Sequence, residues 1–146
     1  MRTSVMRDTA GRLMPIVLIG LNACAEPNAD VELRRFVDDA VAAAEARDTG
    51  HFRDIVADSY IDAQGNDRGR AIDLVRGFFL VNARIDATAD VVAIEWSGSE
   101  SARLVLDARI DGNMRAIAPR LELELLRDGS AWTVIGARWE QRMGGP

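Results

Sequence analysis

The sequence predicts an α+β domain, on three observations. Between Leu33 and Val81, apolar residues recur three and four positions apart, the spacing of helices that bury one stripe. From Ile85 to Trp139 they alternate with polar residues, the period of strands that bury one face. Two polar turns, Ser97-Gly98-Ser99-Glu100 and Asp128-Gly129-Ser130, cut that second half into hairpins. Helices first and a strand meander afterwards give helices covering one face of a curved antiparallel sheet. At 146 residues the chain is long enough for one such core.

The first helix opens at Asp30, a candidate N-cap, and sets Leu33, Phe36, Val37, Ala40, Val41 and Ala44 on one face. Asp48-Thr49-Gly50 ends it, and His51 to Val56 reads as one or two further turns. Ser59-Tyr60-Ile61-Asp62 is a short extended piece, followed by the turn-rich Ala63-Gln64-Gly65-Asn66-Asp67. A third helix from Arg70 to Val81 carries Ile72, Leu74, Val75, Phe78 and Phe79 over a wide apolar arc. Four long strands follow: Ile85 to Trp96, Arg103 to Ile110, Leu121 to Arg127 and Trp132 to Trp139. The first of them is apolar on both faces from Val91 to Ile94. The expected sheet has these four strands plus one short one, with a loop from Asp111 to Pro119.

Strand alternation assigns the faces. Leu104, Leu106, Ala108 and Ile110 share one side, as do Leu121, Leu123 and Leu125, and then Thr133, Ile135, Ala137 and Trp139. Arg103, Asp107, Arg109, Glu122, Glu124 and Arg138 take the other. The inner face is therefore aliphatic and the outer face charged. Phe36, Tyr60, Phe78, Phe79, Trp96 and Trp139 are the candidates to line an inner pocket. The loop from Gly112 to Pro119, with Met114 and Ile117, reads either as a contact patch or as a lip over that pocket.

This order of elements, the Ala-Arg-Asp-Thr-Gly-His-Phe stretch at 46–52 and the final Asp-Gly-Ser-Ala-Trp strand at 128–132 resemble the nuclear transport factor 2-like superfamily. That superfamily has a cone-shaped, cystatin-like fold and includes ketosteroid isomerase and SnoaL-like cyclases. The resemblance covers about residues 30 to 142 and concerns the fold, which hosts many unrelated activities. It implies dimerisation through the outer sheet face as one mode of assembly.

The leader has its own signature. Arg2, Arg7 and Arg12 precede an apolar run from Leu13 to Leu21, the pattern of an export signal. Nine helical residues reach about 14 Å, half of a bilayer core, and Pro15 interrupts them, so the run is no ordinary membrane-spanning helix. Leu21-Asn22-Ala23-Cys24 then resembles the lipobox of bacterial lipoproteins, with Asn22 as its departure from the usual pattern. The resemblance implies cleavage after residue 23, diacylglycerol on Cys24, and a short tether over residues 24–29. Several acyl chains on one residue suffice for stable anchoring. With Ala25 rather than Asp after the Cys, it implies the outer membrane, facing the periplasm. Residues 143–146 are a short tail.

The composition narrows the chemistry. The net charge is −5; without residues 1–23 it becomes −7, from 15 Arg against 22 acidic residues. A chain this acidic does not suit a nucleic-acid partner. All 18 basic residues are Arg, which excludes a lysine Schiff base and a phosphate-binding Gly-Lys-Ser/Thr loop. One His and no metal-loop spacing of acids give no metal site, and nothing calls for a cofactor. The single Cys is assigned to lipid, and no Ser sits in a Gly-x-Ser-x-Gly setting. The remaining candidates for catalysis are Tyr60 and Asp62, two residues apart on one side of a short strand, and His51. Three readings follow: a non-catalytic cone binding an apolar small molecule or a partner, a small isomerase, hydratase or cyclase, and an envelope assembly protein acting as a homodimer.

Overall fold

The computed structural model describes residues 27–141, so the lipobox and Cys24 lie outside the described residues. Helices α1 (Pro27–Glu45), α2 (Thr49–Ile55) and α3 (Arg68–Val81) precede β1 (Ile85–Trp96), β2 (Ser101–Gly112), β3 (Ala116–Ile117), β4 (Pro119–Asp128) and β5 (Ala131–Gln141). The antiparallel sheet has the order β1-β2-β4-β5, with β3 paired to the end of β2. No helix among the described residues is long and apolar enough to cross a membrane.

Helix ends depart from the expected ones for local reasons. The first helix starts at Pro27, so Asp30 is no N-cap; its Oδ1 accepts from Trp96 Nε1 at 3.0 Å. It ends at Glu45, ahead of Asp48-Thr49-Gly50, and Arg47 closes it. Arg47 takes φ 55°, and the Asp48 and Arg47 amides bond the Ala43 and Ala44 carbonyls at 2.8 and 3.1 Å. That bond pattern closes a helix through a left-handed residue. Asp48 instead caps α2, its Oδ1 accepting from His51 N. Likewise Asp67 caps α3 through Arg70 N, so the helix starts at Arg68, two residues ahead of the expected start.

Two side chains pin α3 at its ends. Arg68 donates to the Val56 and Arg53 carbonyls at 2.9 and 2.7 Å, joining the start of α3 to the end of α2. Asn82, fully buried, donates to Phe78 O and accepts from Met114 N, both at 2.9 Å. This second bond ties α3 to the β2–β3 hairpin. Gly112 makes room for it: a Cβ there would meet Asn82 Oδ1 at 2.2 Å. The helix packs on α2, while α1 lies along β1.

Two β-bulges decide which residues face inward. In β1, Val91 pairs with Leu106 and Ala93 with Val105, leaving Val92 as an extra residue. Residues 85, 87, 89 and 91 therefore face in before the bulge, and Ile94 and Trp96 after it. This explains the run from Val91 to Ile94 that is apolar on both faces. In β5, Glu124 pairs with Gly136 and Leu125 with Val134, so Ile135 is the extra residue. The expected inner set Thr133 and Ile135 is corrected to Trp132 and Val134, while Ala137 and Trp139 keep their side. One extra residue inverts a period of two and bends the strand.

The expected short strand at Ser59–Asp62 is a looser element. Residues 57–63 run along the β5 edge, with Ala57, Ile61 and Ala63 N–H groups bonding Val134, Ile135 and Ala137 carbonyls at 3.0, 3.3 and 2.9 Å. They cover an edge that would otherwise offer unpaired groups. The short strand of the sheet is β3, inside the segment expected as a loop.

Candidate functional site: the cavity of the cone

Between α1, α2, α3 and the inner sheet face lies a cavity of about 430 Å³, within the range of sites that take small organic ligands. Small side chains create it. Ala87, Ala89, Ala108 and Ala137 line its sheet wall, and Ala40 and Ala44 its α1 wall. Ala89 and Ala108 are directly paired across β1 and β2. The end of the same sheet beside the start of α1 is filled instead: Leu33, Leu104 and Leu125 are fully buried there, beside Val37 and Trp132.

The structure brings five of the six expected lining residues to the cavity: Phe36, Tyr60, Phe78, Phe79 and Trp139. Trp96 does not line it. It sits at the filled end, edge-on to Trp132 with ring centroids 5.8 Å apart, bonded to Asp30. Trp132 in turn reaches Glu32 at 3.4 Å and lies under the Arg127 guanidinium, 5.8 Å from its ring centroid. The hairpin after β2 divides its two apolar residues, with Ile117 in the cavity lining and Met114 72% exposed.

Tyr60, Asp62 and Trp139 are the lining residues with polar side-chain atoms. Tyr60 and Asp62 are each 5% exposed. Asp62 is held by the turn that follows it: Oδ1 accepts from Gln64 N and Asn66 N at 2.9 and 2.8 Å, and Oδ2 from Asn66 Nδ2 at 2.9 Å. Tyr60 is pushed up to about 12 by burial first, then by the negative charge of Asp62 and a hydrogen bond to it. It stays protonated through the physiological range. His51 is not a third member of this group. Its ring packs edge-on to Phe52 at 5.7 Å, and its buried Nε2 has no hydrogen-bond partner among the described residues.

No cluster of three or more His, Cys, Asp or Glu among the described residues could hold a metal ion. On the outer sheet face, Arg120 bonds Asp107 through two nitrogens at 2.8 and 3.0 Å, and Arg103 reaches Glu95 at 3.5 Å.

Comparison with solved structures fits this architecture. Bd1075 of Bdellovibrio bacteriovorus superposes with a TM-score of 0.72 at 12% identity, over 81% of this chain and 42% of that one. The present chain thus spans less than half of that protein. A proposed scytalone dehydratase of Novosphingobium aromaticivorans gives 0.67 at 11% identity, over 79% and 87%. A nuclear transport factor 2-like protein of unknown function from Silicibacter pomeroyi gives 0.63 at 16% identity, over 79% and 97%. The fold is the nuclear transport factor 2-like cone. At these identities the likeness concerns the fold alone, and the cone's contents must be argued from its own residues. No protein-family model and no curated relative matches the sequence.

Bulges and turns explain what the sequence hid. Trp96 looked like a pocket residue because aromatic residues were assigned to the cone without knowing which end of the sheet is filled. The alanines carried the missing signal. Ala87, Ala89 and Ala108 cluster on inward positions at one end of β1 and β2, and they mark the cavity.

Proposed function

We propose that this protein is an envelope lipoprotein, anchored through Cys24, whose cone binds an apolar small molecule without acting on it chemically. One observation carries the binding reading: an apolar cavity of about 430 Å³ whose single lining acid already accepts three hydrogen bonds from its own turn. A general base needs a free lone pair within reach of the proton it takes. Asp62 offers none. Tyr60 holds its proton far above neutral pH, so it is a poor base as well.

The anchoring reading rests on the Leu21-Asn22-Ala23-Cys24 lipobox and on the short distance in sequence from Cys24 to α1; residues 27–29, expected as part of the tether, already belong to that helix. Helix α1 leads away from that tether for 19 residues, about 28 Å, along the filled end first and the cavity afterwards. A short tether therefore suits a cone that opens away from the bilayer, toward the periplasm. The enzyme reading draws on the juxtaposition of Tyr60 and Asp62, and the homodimer reading on the charged outer sheet face.

Native mass spectrometry of the protein purified from its own envelope tests these readings together. A retained small molecule is expected; a bare chain, or a dimer with an empty cone, would count against ligand binding. Changing Cys24→Ala should move the protein from the membrane pellet to the soluble fraction. Continued pelleting would end the anchor proposal.

A further inference from the structure

The lining of the cone restricts the class of molecule that fits, provided the cone binds a small molecule as proposed above. Asp62 is the one charged side chain among the described lining residues, and it is 5% exposed. Its two oxygens accept three N–H bonds from its own turn, which hold the carboxylate in place without neutralising it. Asp62 forms no ion pair among the described residues. Arg103 and Arg138 share an outer groove with it, but Arg103 reaches Glu95 and Arg138 lies opposite Glu122. The cavity wall thus carries one negative charge with no cation paired to it. The rest of the lining is rich in rings. Six of the eight aromatic residues in the chain line the cavity: Phe36, Phe52, Tyr60, Phe78, Phe79 and Trp139. The face of such a ring is the negative part of its quadrupole and attracts a cation.

From this lining we infer that the cone takes apolar molecules bearing a quaternary ammonium group and rejects anions of the same shape. The Asp62 charge and the ring faces both favour a cation, and neither attraction requires a hydrogen bond from it. A quaternary nitrogen brings charge without N–H groups, so its burial leaves no donor unsatisfied. Its methyl groups pack against rings and alanines as a hydrocarbon does. An anion of equal size would meet the Asp62 charge, with no cation in the lining to offset its loss of hydration.

The test uses the full chain in nanodiscs and three probes of one shape: phenyltrimethylammonium, tert-butylbenzene and benzenesulfonate. Free probe concentrations are fixed by sealed dialysis, and binding is read as the rise in unfolding temperature, which partitioning into lipid does not produce. The ammonium probe is expected first, about tenfold tighter than tert-butylbenzene, with benzenesulfonate weakest. Tert-butylbenzene binding at least as well as the ammonium probe, or benzenesulfonate at least as well as tert-butylbenzene, overturns the inference while leaving ligand binding in place. If no probe raises the temperature, ligand binding itself is wrong, and this inference falls with it.

A second arm removes the charge and keeps the shape. In Asp62→Asn the preference for the ammonium probe over tert-butylbenzene should shrink to about threefold or less, the part supplied by the rings. Tert-butylbenzene itself should bind as before. An undiminished preference in a folded variant overturns the inference; if the variant does not fold, the three-probe series on the unaltered chain decides.

Discussion

At the end of the sheet beside the start of α1, Leu104, Leu125 and Trp132 meet Leu33 and Val37 with almost no exposed surface. Toward the other end, β1 and β2 present Ala87, Ala89 and Ala108, Ala137 of β5 joins them in the wall, and a cavity remains. The backbone layers are shared, so side-chain volume accounts for the difference. Protein interiors pack like organic crystals, and a wall of alanines leaves space unless a helix moves in to fill it. Here α3 is prevented from doing so, because Arg68 and Asn82 fasten its two ends elsewhere.

The sharpest way to break this contrast is to exchange the volumes. Leu104→Ala at the filled end should cost about 3 kcal/mol in urea denaturation, the sum of lost burial and a new void. Ala108→Leu in the cavity should cost less than about 1 kcal/mol, where the same enlargement in a filled core costs about 1–3 kcal/mol. It should also abolish probe binding. Similar costs at both ends would mean that the cavity is not open space.

Next in size is an effect of pH at the cavity wall. Tyr60 titrates near 12 in the folded protein, above the ordinary tyrosine value of about 10. Between these values the unfolded chain releases the proton and the folded chain keeps it. Stability is therefore fully present below pH of about 10 and declines as pH rises toward 12, by about 2 kcal/mol. Unfolding midpoints measured from pH 9 to 12 should fall more steeply in the unaltered chain than in Tyr60→Phe. Parallel curves would show that Tyr60 is not what titrates.

The smallest effect belongs to the outer face, where the contrast between the two ends has no counterpart. Arg120→Gln removes a two-point ion pair with Asp107 that stands in solvent. Exposed pairs contribute little to folding. No resolvable shift in the urea midpoint is expected; a clear loss would give the charged face a structural role.

Much of the fold was legible because burial imposes a period, and the periods of helix and strand differ. The strand limits, the aliphatic inner face and the Tyr60–Asp62 pairing all came from spacing. What escaped were single-residue events. Nothing in the local composition marks Ile135 as extra, yet it moved Thr133 out of the core and Trp132 in. Asp62 was legible as Tyr60's neighbour, while its engagement by Gln64 and Asn66 depends on how one turn closes. Helix ends escaped for the same reason, since Asp30 and Asp48 each had two plausible partners and the three-dimensional chain chose between them.

The bulges also bear on how this domain tolerates changes in length. A residue added to or lost from a strand normally turns everything beyond it inside out. At Val92 and Ile135 the strands already hold one residue more than their partners. Removing Ile135 would restore regular alternation with Val134, Ala137 and Trp139 still facing inward, at the expense of the bend that the bulge provides. These two positions are thus the places in the sheet where a single-codon deletion preserves the sides of the wall and alters only its curvature.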